Sequence, residues 1–344
     1  MHYQTNSTGV SSTSPEEIDL LMADKDMEVR TTQEDTLVGS VELKALMERS
    51  DRKAWTQVLS HFGAIVLSGY GLSVLWGSWW AVPVFMLHGT LLAYLYAAQH
   101  ECSHQTPFRT RWLNLFWGHV CGFIGFAPFY FDRTSHMIHH QYTSIRGKDA
   151  ELEDFRHELE PFTLYSLLYE LSAVPYWTGL WQSLYSHTLG KESEWEVQLF
   201  QKKDRDKFIK EARIYSSGYI LIFALSIIFE SWFALQYWLA PMLIMKWSHH
   251  LHNYAEHYGL PKVTEVMQNT RTIYTTPFNR WIVWNMNYHT AHHRHANVPF
   301  YNLPRLDKII RSHVAHQVPG YLRLYWKLLR CAWRGERYGY EGLM

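Results

Sequence analysis

The chain has 344 residues, in which 32 basic side chains balance 32 acidic ones. This balance leaves no basic surplus, so neither a nucleic-acid partner nor a strongly anionic one is implied. Aromatic residues make up 16% of the chain and include 16 Trp, which fits contact with the interfaces of a lipid bilayer. The mean hydropathy of −0.25 excludes a chain made only of membrane spans. Together these values predict a membrane-embedded base that carries a polar catalytic part.

The N-terminal part of the chain is polar. Residues 1–30 lack the apolar core of a signal peptide, and the Ser/Thr-rich stretch from Ser7 to Ser14 is typical of disorder. We therefore predict a polar, partly disordered segment at residues 1–53. A membrane-embedded catalytic domain is expected at 54–310, followed by a basic and aromatic cytosolic segment at 311–344.

A run of 47 uncharged residues extends from Ala54 to His100. At about 1.5 Å per residue, a helix of this length covers roughly 70 Å, which is enough for two crossings of a ~30 Å hydrocarbon core and a turn. The turn is predicted at residues 76–80, Trp-Gly-Ser-Trp-Trp, because indoles suit the interface. The alternative is a buried hairpin of a soluble protein, which so long an uncharged run disfavours.

A second apolar region runs from Ile214 to Met245 and is interrupted only by Glu230. A hairpin that turns near Glu230 would supply a third and a fourth span, the last continuing past Lys246, whose long stem can reach the interface. The predicted fold is thus an all-α integral membrane protein with four transmembrane helices in two hairpins and a helical cap. The stretch from Pro161 to Leu189 is predicted to form interfacial helices that lie on the bilayer.

Two hairpins bring the chain back twice to the side on which it started, so the segments after both hairpins share one face of the membrane. Basic residues near the first polar segments place that face in the cytosol by the positive-inside tendency; they are Arg109, Arg111, Arg133, Arg146 and Lys148. The membrane would be the endoplasmic reticulum in a eukaryote and the cytoplasmic membrane in a bacterium. The three cysteines form no CxxC pair, which also fits a reducing environment.

Four clusters of histidines lie on this predicted cytosolic face. They are His100-Glu101-x-x-His104, His136-x-x-His139-His140, Asn253-x-x-Glu256-His257 and His289-x-x-His292-His293. Residues three or four apart share a helix face, so each cluster can aim its imidazoles at one region. The adjacent histidines in the two HxxHH clusters point about 100° apart, which suits two metals side by side. Nine histidines are therefore predicted metal ligands, and Asn253 is predicted to act through a water.

Imidazole binds iron, copper, nickel or zinc, so the clusters alone leave the metal open. His100-Glu101-x-x-His104 also fits the HExxH motif of zinc proteases, but that reading leaves both HxxHH clusters unexplained. A soluble carboxylate-bridged di-iron bundle needs two Glu-x-x-His pairs, and only Glu101–His104 fits. In a protein that stores or senses metal we would expect low-complexity histidine tracts. The regular helical spacings of these clusters disfavour that alternative.

The order HxxxH, HxxHH, NxxxH, HxxHH resembles the membrane fatty acid desaturase and hydroxylase superfamily, and is closest to bacterial and plant acyl desaturases. Further similar segments are Gly147-Lys148-Asp149, Asn269-Thr-Arg-Thr272 and residues 298–306, Val-Pro-Phe-Tyr-Asn-Leu-Pro-Arg-Leu. The segment from Asn253 to Leu260 is similar to alkane hydroxylases. The resemblance covers roughly residues 85–310 and implies two iron ions as cofactor and O2 as co-substrate.

The expected reaction is insertion of a double bond into a fatty acyl chain. The alternatives on the same scaffold are hydroxylation, or oxidative decarboxylation, of a fatty acyl, alkane or related lipid substrate. The last cluster begins with His289 rather than Gln, and no His-Pro-Gly-Gly haem motif occurs. A fused cytochrome b5 domain is therefore not expected, and electrons would come from a separate donor of the cytochrome b5 or ferredoxin type with its reductase.

Residues around the clusters are expected to orient the ligands by accepting their second N–H groups. The candidates are Asp149, Glu101, Glu256 and His295. His249, His250 and His252 abut the third cluster and are expected to have supporting or interfacial roles, while Cys102 is expected to pack rather than to bind metal. His88 and His119 lie in apolar stretches and are expected to be packed and hydrogen-bonded.

Overall fold

A computed structural model describes residues 37–154 and 163–336 of the chain, so the predicted disorder at Ser7–Ser14 lies outside the described residues. Within these ranges the strands are a single parallel pair, β1 (Thr272–Ile273) and β2 (Gln317–Val318). The helices before residue 155 are α1 (Ser40–Leu46), α2 (Asp51–Leu75), α3 (Ala81–Ala93), α4 (Leu95–Ser103), α5 (Arg111–Gly125), α6 (Phe129–Tyr142) and α7 (Ala150–Asp154).

The second described range contains ten further α-helices and three short helical turns. The helices are α8 (Leu164–Leu171), α9 (Val174–Thr188), α10 (Glu194–Leu199), α11 (Lys202–Ile228), α12 (Ala240–His257), α13 (Val266–Asn269), α14 (Pro277–Ile282), α15 (His289–Arg294), α16 (Leu303–Ile310) and α17 (Tyr321–Arg334). A π-helical turn, Leu235–Leu239, leads into α12, and 3-10 turns lie at Phe300–Asn302 and Arg311–His313.

Three helical segments within residues 37–154 and 163–336 are long and apolar enough to cross a membrane: Asp51–Leu75, Ala81–Ser103 and Lys202–Ile228. The first two form the predicted hairpin, and the turn at residues 76–80 joins them. Their outward side chains are apolar, since Leu67 is 71% exposed and Phe223 is 68% exposed. Large exposed apolar surfaces of this kind mark contact with lipid. The expectation of long apolar helices is therefore confirmed for these three segments, which are candidate membrane spans.

The fourth expected span follows a turn at Glu230, where the backbone has the predicted reversal with a φ of 48°. Residues 233–257 are continuously helical through the π turn and α12. This helix does not reach the hydropathy of the other three in the structure, because its second half carries Lys246 and the histidines of the third cluster. A fourth crossing remains a prediction. The stretch from Pro161 to Leu189 does contain two short helices, α8 and α9, as expected.

Close packing of α3 against α12 fixes the position of the third histidine cluster. A Cβ added at Gly89 would lie 2.4 Å from the carbonyl oxygen of Pro241 and 2.6 Å from Cγ of Met245. Glycine lets two helix backbones approach in this way, and small residues are common where membrane helices touch. Because α12 also carries Asn253 and His257, this contact sets the position of both residues.

The segment after the last cluster folds back on the start of the chain. Asn302 Nδ2 donates a hydrogen bond of 2.7 Å to the carbonyl of Leu46, and the Ser50 amide donates one of 2.6 Å to the Tyr301 hydroxyl. Trp284 and Phe300 are buried in the main hydrophobic core together with α3 and α4 residues such as Leu95. The first hairpin and the C-terminal half of the catalytic part therefore share one core.

Candidate metal centre

The four histidine clusters lie on four different helices that converge at one end of the apolar helices. His100 is in the last turn of α4, and His104 follows directly after it with helical backbone angles, so both keep one face. The second cluster lies on α6, the third at the C-terminal end of α12 and the fourth on α15. All nine predicted ligands lie in the described part of the chain.

Five of the histidines form a first group: His100, His104, His136, His140 and His292. Their ligand atoms lie within 4.8 Å of one another. The Nε2 atom of His136 is 3.0 Å from that of His104 and 2.9 Å from that of His140. The Nε2 atoms of His140 and His292 are 3.0 Å apart. Nitrogens from three segments of the chain thus meet at one point.

The remaining histidines form a second group beside the first. Ligand atoms of His139, His257 and His293 lie within 4.8 Å of one another, and His289 Nε2 is 2.7 Å from His257 Nε2. The adjacent pairs His139–His140 and His292–His293 therefore each divide between the groups, as the 100° spacing predicted. The rings of His140 and His293 stack at 4.1 Å and bring the two groups into contact.

The donor set fits a pair of bound metal ions. A ring nitrogen bound to a metal at about 2.0–2.1 Å places neighbouring ligand nitrogens near the 3 Å separations seen here. Burial, together with the neighbouring imidazoles, holds the pKa of His104, His140 and His293 well below the usual range. These rings are therefore neutral near pH 7, and the neutral form has the lone pair that a metal requires.

Carboxylates and one carbonyl hold the other side of several rings. His139 Nδ1 lies 3.0 Å from both carboxylate oxygens of Asp149, and His136 Nδ1 lies 2.7 Å from Oε1 of Glu151. His257 Nδ1 donates to the carbonyl of Asn269 at 2.9 Å. An Nδ1–H fixed in this way turns Nε2 toward a metal. Burial opposes the charged form of His139, but Glu151 and Asp149 outweigh it and raise its pKa to about 9.

The other expected supporting residues differ in position. Glu256 Oε1 lies 2.9 Å from Nδ1 of His289 and 3.3 Å from Nε2 of His252. Glu101 Oε1 is 3.9 Å from Nδ1 of both His100 and His292, so it lies behind these rings rather than in front of their ligand atoms. That position is wrong for the general base of a zinc protease. His295 and Cys102 are buried but belong to neither group.

Histidines outside the groups have structural contacts where the sequence predicted them. His88 lies 2.9 Å from Oγ of Ser68 and 2.8 Å from the carbonyl of Tyr237, and His119 Nδ1 lies 3.0 Å from Oε1 of Glu211. The packed and hydrogen-bonded roles expected for His88 and His119 are thus confirmed. Asn253 lies one turn before His257 on α12, and its Oδ1 atom is buried without a hydrogen-bond partner.

Two supporting groups were not singled out by the sequence. Glu151 stands in an acidic run with Glu153 and Asp154, and spacing alone does not say which carboxylate reaches a histidine. The Asn269 carbonyl is a backbone atom, so no side-chain pattern could have indicated it. Asp149 and Glu256 could be singled out from the sequence because each lies close to a histidine cluster along the chain.

The Asp149 carboxylate offers a test of this supporting layer. Asp149 also accepts hydrogen bonds from the amides of Ser144 and Glu151, at 2.7 and 3.0 Å. In Asp149→Asn the side chain keeps its size but loses the charge that orients His139. We expect about 10- to 100-fold weaker binding of one of two metal ions, measured by iron titration under anaerobic conditions. Asp206→Asn, on the exposed surface of α11, is the control, and equal affinities in both variants would contradict the role of Asp149.

Comparison with known proteins agrees with this geometry. The sequence profile of the family described as fatty acid desaturase matches residues 53–327. The chain is 26% identical over 279 residues to the sn-1 oleoyl-lipid 12-desaturase of Synechocystis sp., covering 76% of each chain. It is also 26% identical over 302 residues to the sphingolipid delta(4)-desaturase/C4-monooxygenase of Bos taurus, covering 83% of this chain and 82% of the relative.

A plant protein extends the comparison. The omega-3 fatty acid desaturase of the endoplasmic reticulum from Vigna radiata is 23% identical over 291 residues, covering 78% of this chain and 74% of the relative. The apolar helices and these membrane desaturases identify an integral membrane protein. With the buried histidine groups and a profile that spans most of its length, the chain belongs to the fatty acid desaturase family and is an enzyme of the di-iron oxidoreductase type.

Proposed function

We propose that this protein is an O2-dependent desaturase that introduces a double bond into a fatty acyl chain by means of two iron ions. The observation that carries the proposal is the division of nine buried or half-buried histidines into two adjacent groups, in a chain of this family. The desaturases among its relatives support an acyl chain as the kind of substrate.

In the proposed centre the first group of five histidines holds one iron. His139, His257, His289 and His293 hold the other, which Asn253 completes through a water. When bound, the irons supply the activation of O2 that cleavage of an unactivated C–H bond requires, because no acid–base group can do so alone. Asp149, Glu151, Glu256 and the Asn269 carbonyl hold the rings in the orientation that binding needs.

The proposed arrangement in the membrane has four spans, with residues 233–257 as the last. This helix is 25 residues long, which gives about 37 Å and suffices for a ~30 Å core. Two complete hairpins place the centre on one side, and we propose the cytosolic side. The catalytic domain is residues 54–310, and electrons come from a separate cytochrome b5- or ferredoxin-type protein.

Hydroxylation is the second candidate reaction. The bovine relative is named as both a desaturase and a C4-monooxygenase, so one scaffold of this family supports both outcomes. The two reactions share removal of the first hydrogen and diverge afterwards. Loss of two hydrogens in the product would mark the desaturase, and gain of one oxygen the hydroxylase.

The direct test is expression with a ferredoxin or cytochrome b5 and its reductase, followed by mass spectrometry of the lipids. We expect acyl products lighter by two hydrogens that require iron, O2 and the donor. Enzyme loaded only with zinc should be inactive, although imidazoles bind zinc readily. Products formed by the zinc enzyme without O2 would contradict the proposal and indicate hydrolytic chemistry instead.

A separate prediction concerns Asn253 and the second iron. Its buried Oδ1 has no hydrogen-bond partner, which fits an amide that holds a water on the metal. Asn253→His should bind iron at least as well but turn over more slowly, because an imidazole fills the open position. Asn253→Ala should lose part of the iron and most of the activity. Iron content and turnover are measured in both, and full activity of Asn253→His would show that no open position exists there.

A further inference from the structure

A lysine is buried close to the metal centre. Lys246 is 1% exposed, although it lies midway along a helix of the membrane-embedded part. Its ammonium sits 4.3 Å from the centre of the Tyr176 ring and 5.4 Å from that of Tyr96. Asp132 attracts this ammonium from beyond ion-pair distance, and among the described residues no carboxylate is close enough to form an ion pair with it. Two aromatic faces attract a cation but do not replace a counter-ion in a site removed from water.

A second polar side chain, His249, lies beside Lys246 and has no hydrogen-bond partner. His249 is 1% exposed, and neither of its ring nitrogens has a hydrogen-bond partner. Its ring packs edge-on against Tyr96 at 4.4 Å, so Lys246 and His249 approach the same tyrosine ring. Buried polar groups are normally hydrogen-bonded, and a buried pair without partners needs a reason. One anionic group with two acceptor oxygens would satisfy both side chains.

This pair lies next to the proposed metals. Tyr96 contacts His249 and also lies 6.1 Å, between ring centres, from His100 of the first group. On α12, Lys246, His249, Asn253 and His257 are three or four residues apart and therefore share one face. About 10 Å along the helix axis separates Lys246 from Asn253. A ligand bound at Lys246 thus begins within a short distance of both groups.

We infer that Lys246 and His249 bind the carboxylate of the substrate, and that the substrate is therefore a free long-chain fatty acid. The ammonium pairs with the carboxylate and the imidazole N–H donates to its second oxygen, while Tyr96 and Tyr176 enclose the pair. The oxidised carbons then lie in the half of the chain nearer the carboxyl group. This inference rests on the proposed function, since it names the substrate of the same site.

The test is ligand binding to the purified, iron-loaded protein in phosphatidylcholine nanodiscs, with empty nanodiscs subtracted. The probes are hexadecanoate, its methyl ester and hexadecan-1-ol, which share one alkyl chain. We expect hexadecanoate to bind about tenfold more tightly than either neutral probe, as a charge-assisted contact implies. Lys246→Met should lose this preference and Lys246→Arg should keep it. Lys207→Met is the matched control, because Lys207 lies over the Tyr130 ring at 6.0 Å outside the site.

Two results would overturn the inference: equal binding of the three probes to the unaltered protein, or an unchanged acid preference in Lys246→Met. If Lys246→Met loses its iron, binding of the three probes to the unaltered protein and to Lys246→Arg still tests the inference. Oxidation mainly in the methyl half of hexadecanoate would also contradict it. Binding needs no electron donor, so the two ideas can fail separately. A preference for the acid without any turnover refutes only the proposed function. Turnover of neutral lipids without a preference for the acid refutes only this inference.

Discussion

Replacing His100, His139 or His292 with alanine will reduce turnover at least about 100-fold, since even residues that merely support a ligand cost 10- to 100-fold. His100 and His292 belong to the first group and His139 lies in the second. Each substitution removes one nitrogen from a buried centre, so one metal ion would be held by one protein ligand fewer. Iron per chain and product formation are measured for each purified variant.

His313→Ala is the control for these three substitutions. His313 is exposed in a 3-10 turn, and its ring lies 3.2 Å from the neighbouring Ser312 hydroxyl. The control should keep its iron and its activity. A membrane-inserted, metal-loaded variant of His100, His139 or His292 that still turns over would contradict the assignment of that histidine to a metal.

Gly89→Ala should strongly destabilise the protein although the change adds a single methyl group. The new Cβ would lie 2.4 Å from the Pro241 carbonyl, a backbone atom that cannot rotate away. Overpacking of this kind costs about 1–3 kcal/mol, which corresponds to a melting temperature several degrees lower. The shift of α12 should also lower iron affinity, because His257 moves with it.

Gly63→Ala separates the effect of packing from that of helix propensity. Gly63 lies in α2 with no atom within 4 Å of the added Cβ. Alanine favours a helix over glycine by about 0.5–1 kcal/mol, so this variant should be as stable as the unaltered protein or slightly more so. Thermal unfolding in detergent is measured for both. Equal melting temperatures would show that α3 and α12 are not held by close contact at Gly89.

The parts of this protein that local patterns determine were predictable from the sequence. A long uncharged run predicts helices and a turn, and it gave the first hairpin within a few residues. The 100° step between neighbouring helix residues likewise predicted that adjacent histidines belong to different groups, as they do. Both inferences depend on helix geometry over one or two turns, which the sequence contains directly.

Tertiary contacts decided the rest. Which histidines of the first two clusters join His292 depends on how α15 docks against α6, and no local spacing contains that docking. Glu151 became a partner of His136 only because α7 packs beside α6. The mean hydropathy of α12 is lowered by polar side chains in its second half. Among them Lys246, His249 and Asn253 face the interior rather than lipid.

The position of the histidines along the chain determines when the centre can form. His292 meets His140 at a sequence separation of 152 residues, and His289 meets His257 at a separation of 32. Chains fold from the N-terminus as they are made, so the first three clusters are present in the membrane before the fourth has been synthesised. Closure of such long loops costs entropy that the last contacts must offset. Metal loading would thus be the final step of assembly, because the histidines of each group come from both early and late segments of the catalytic part.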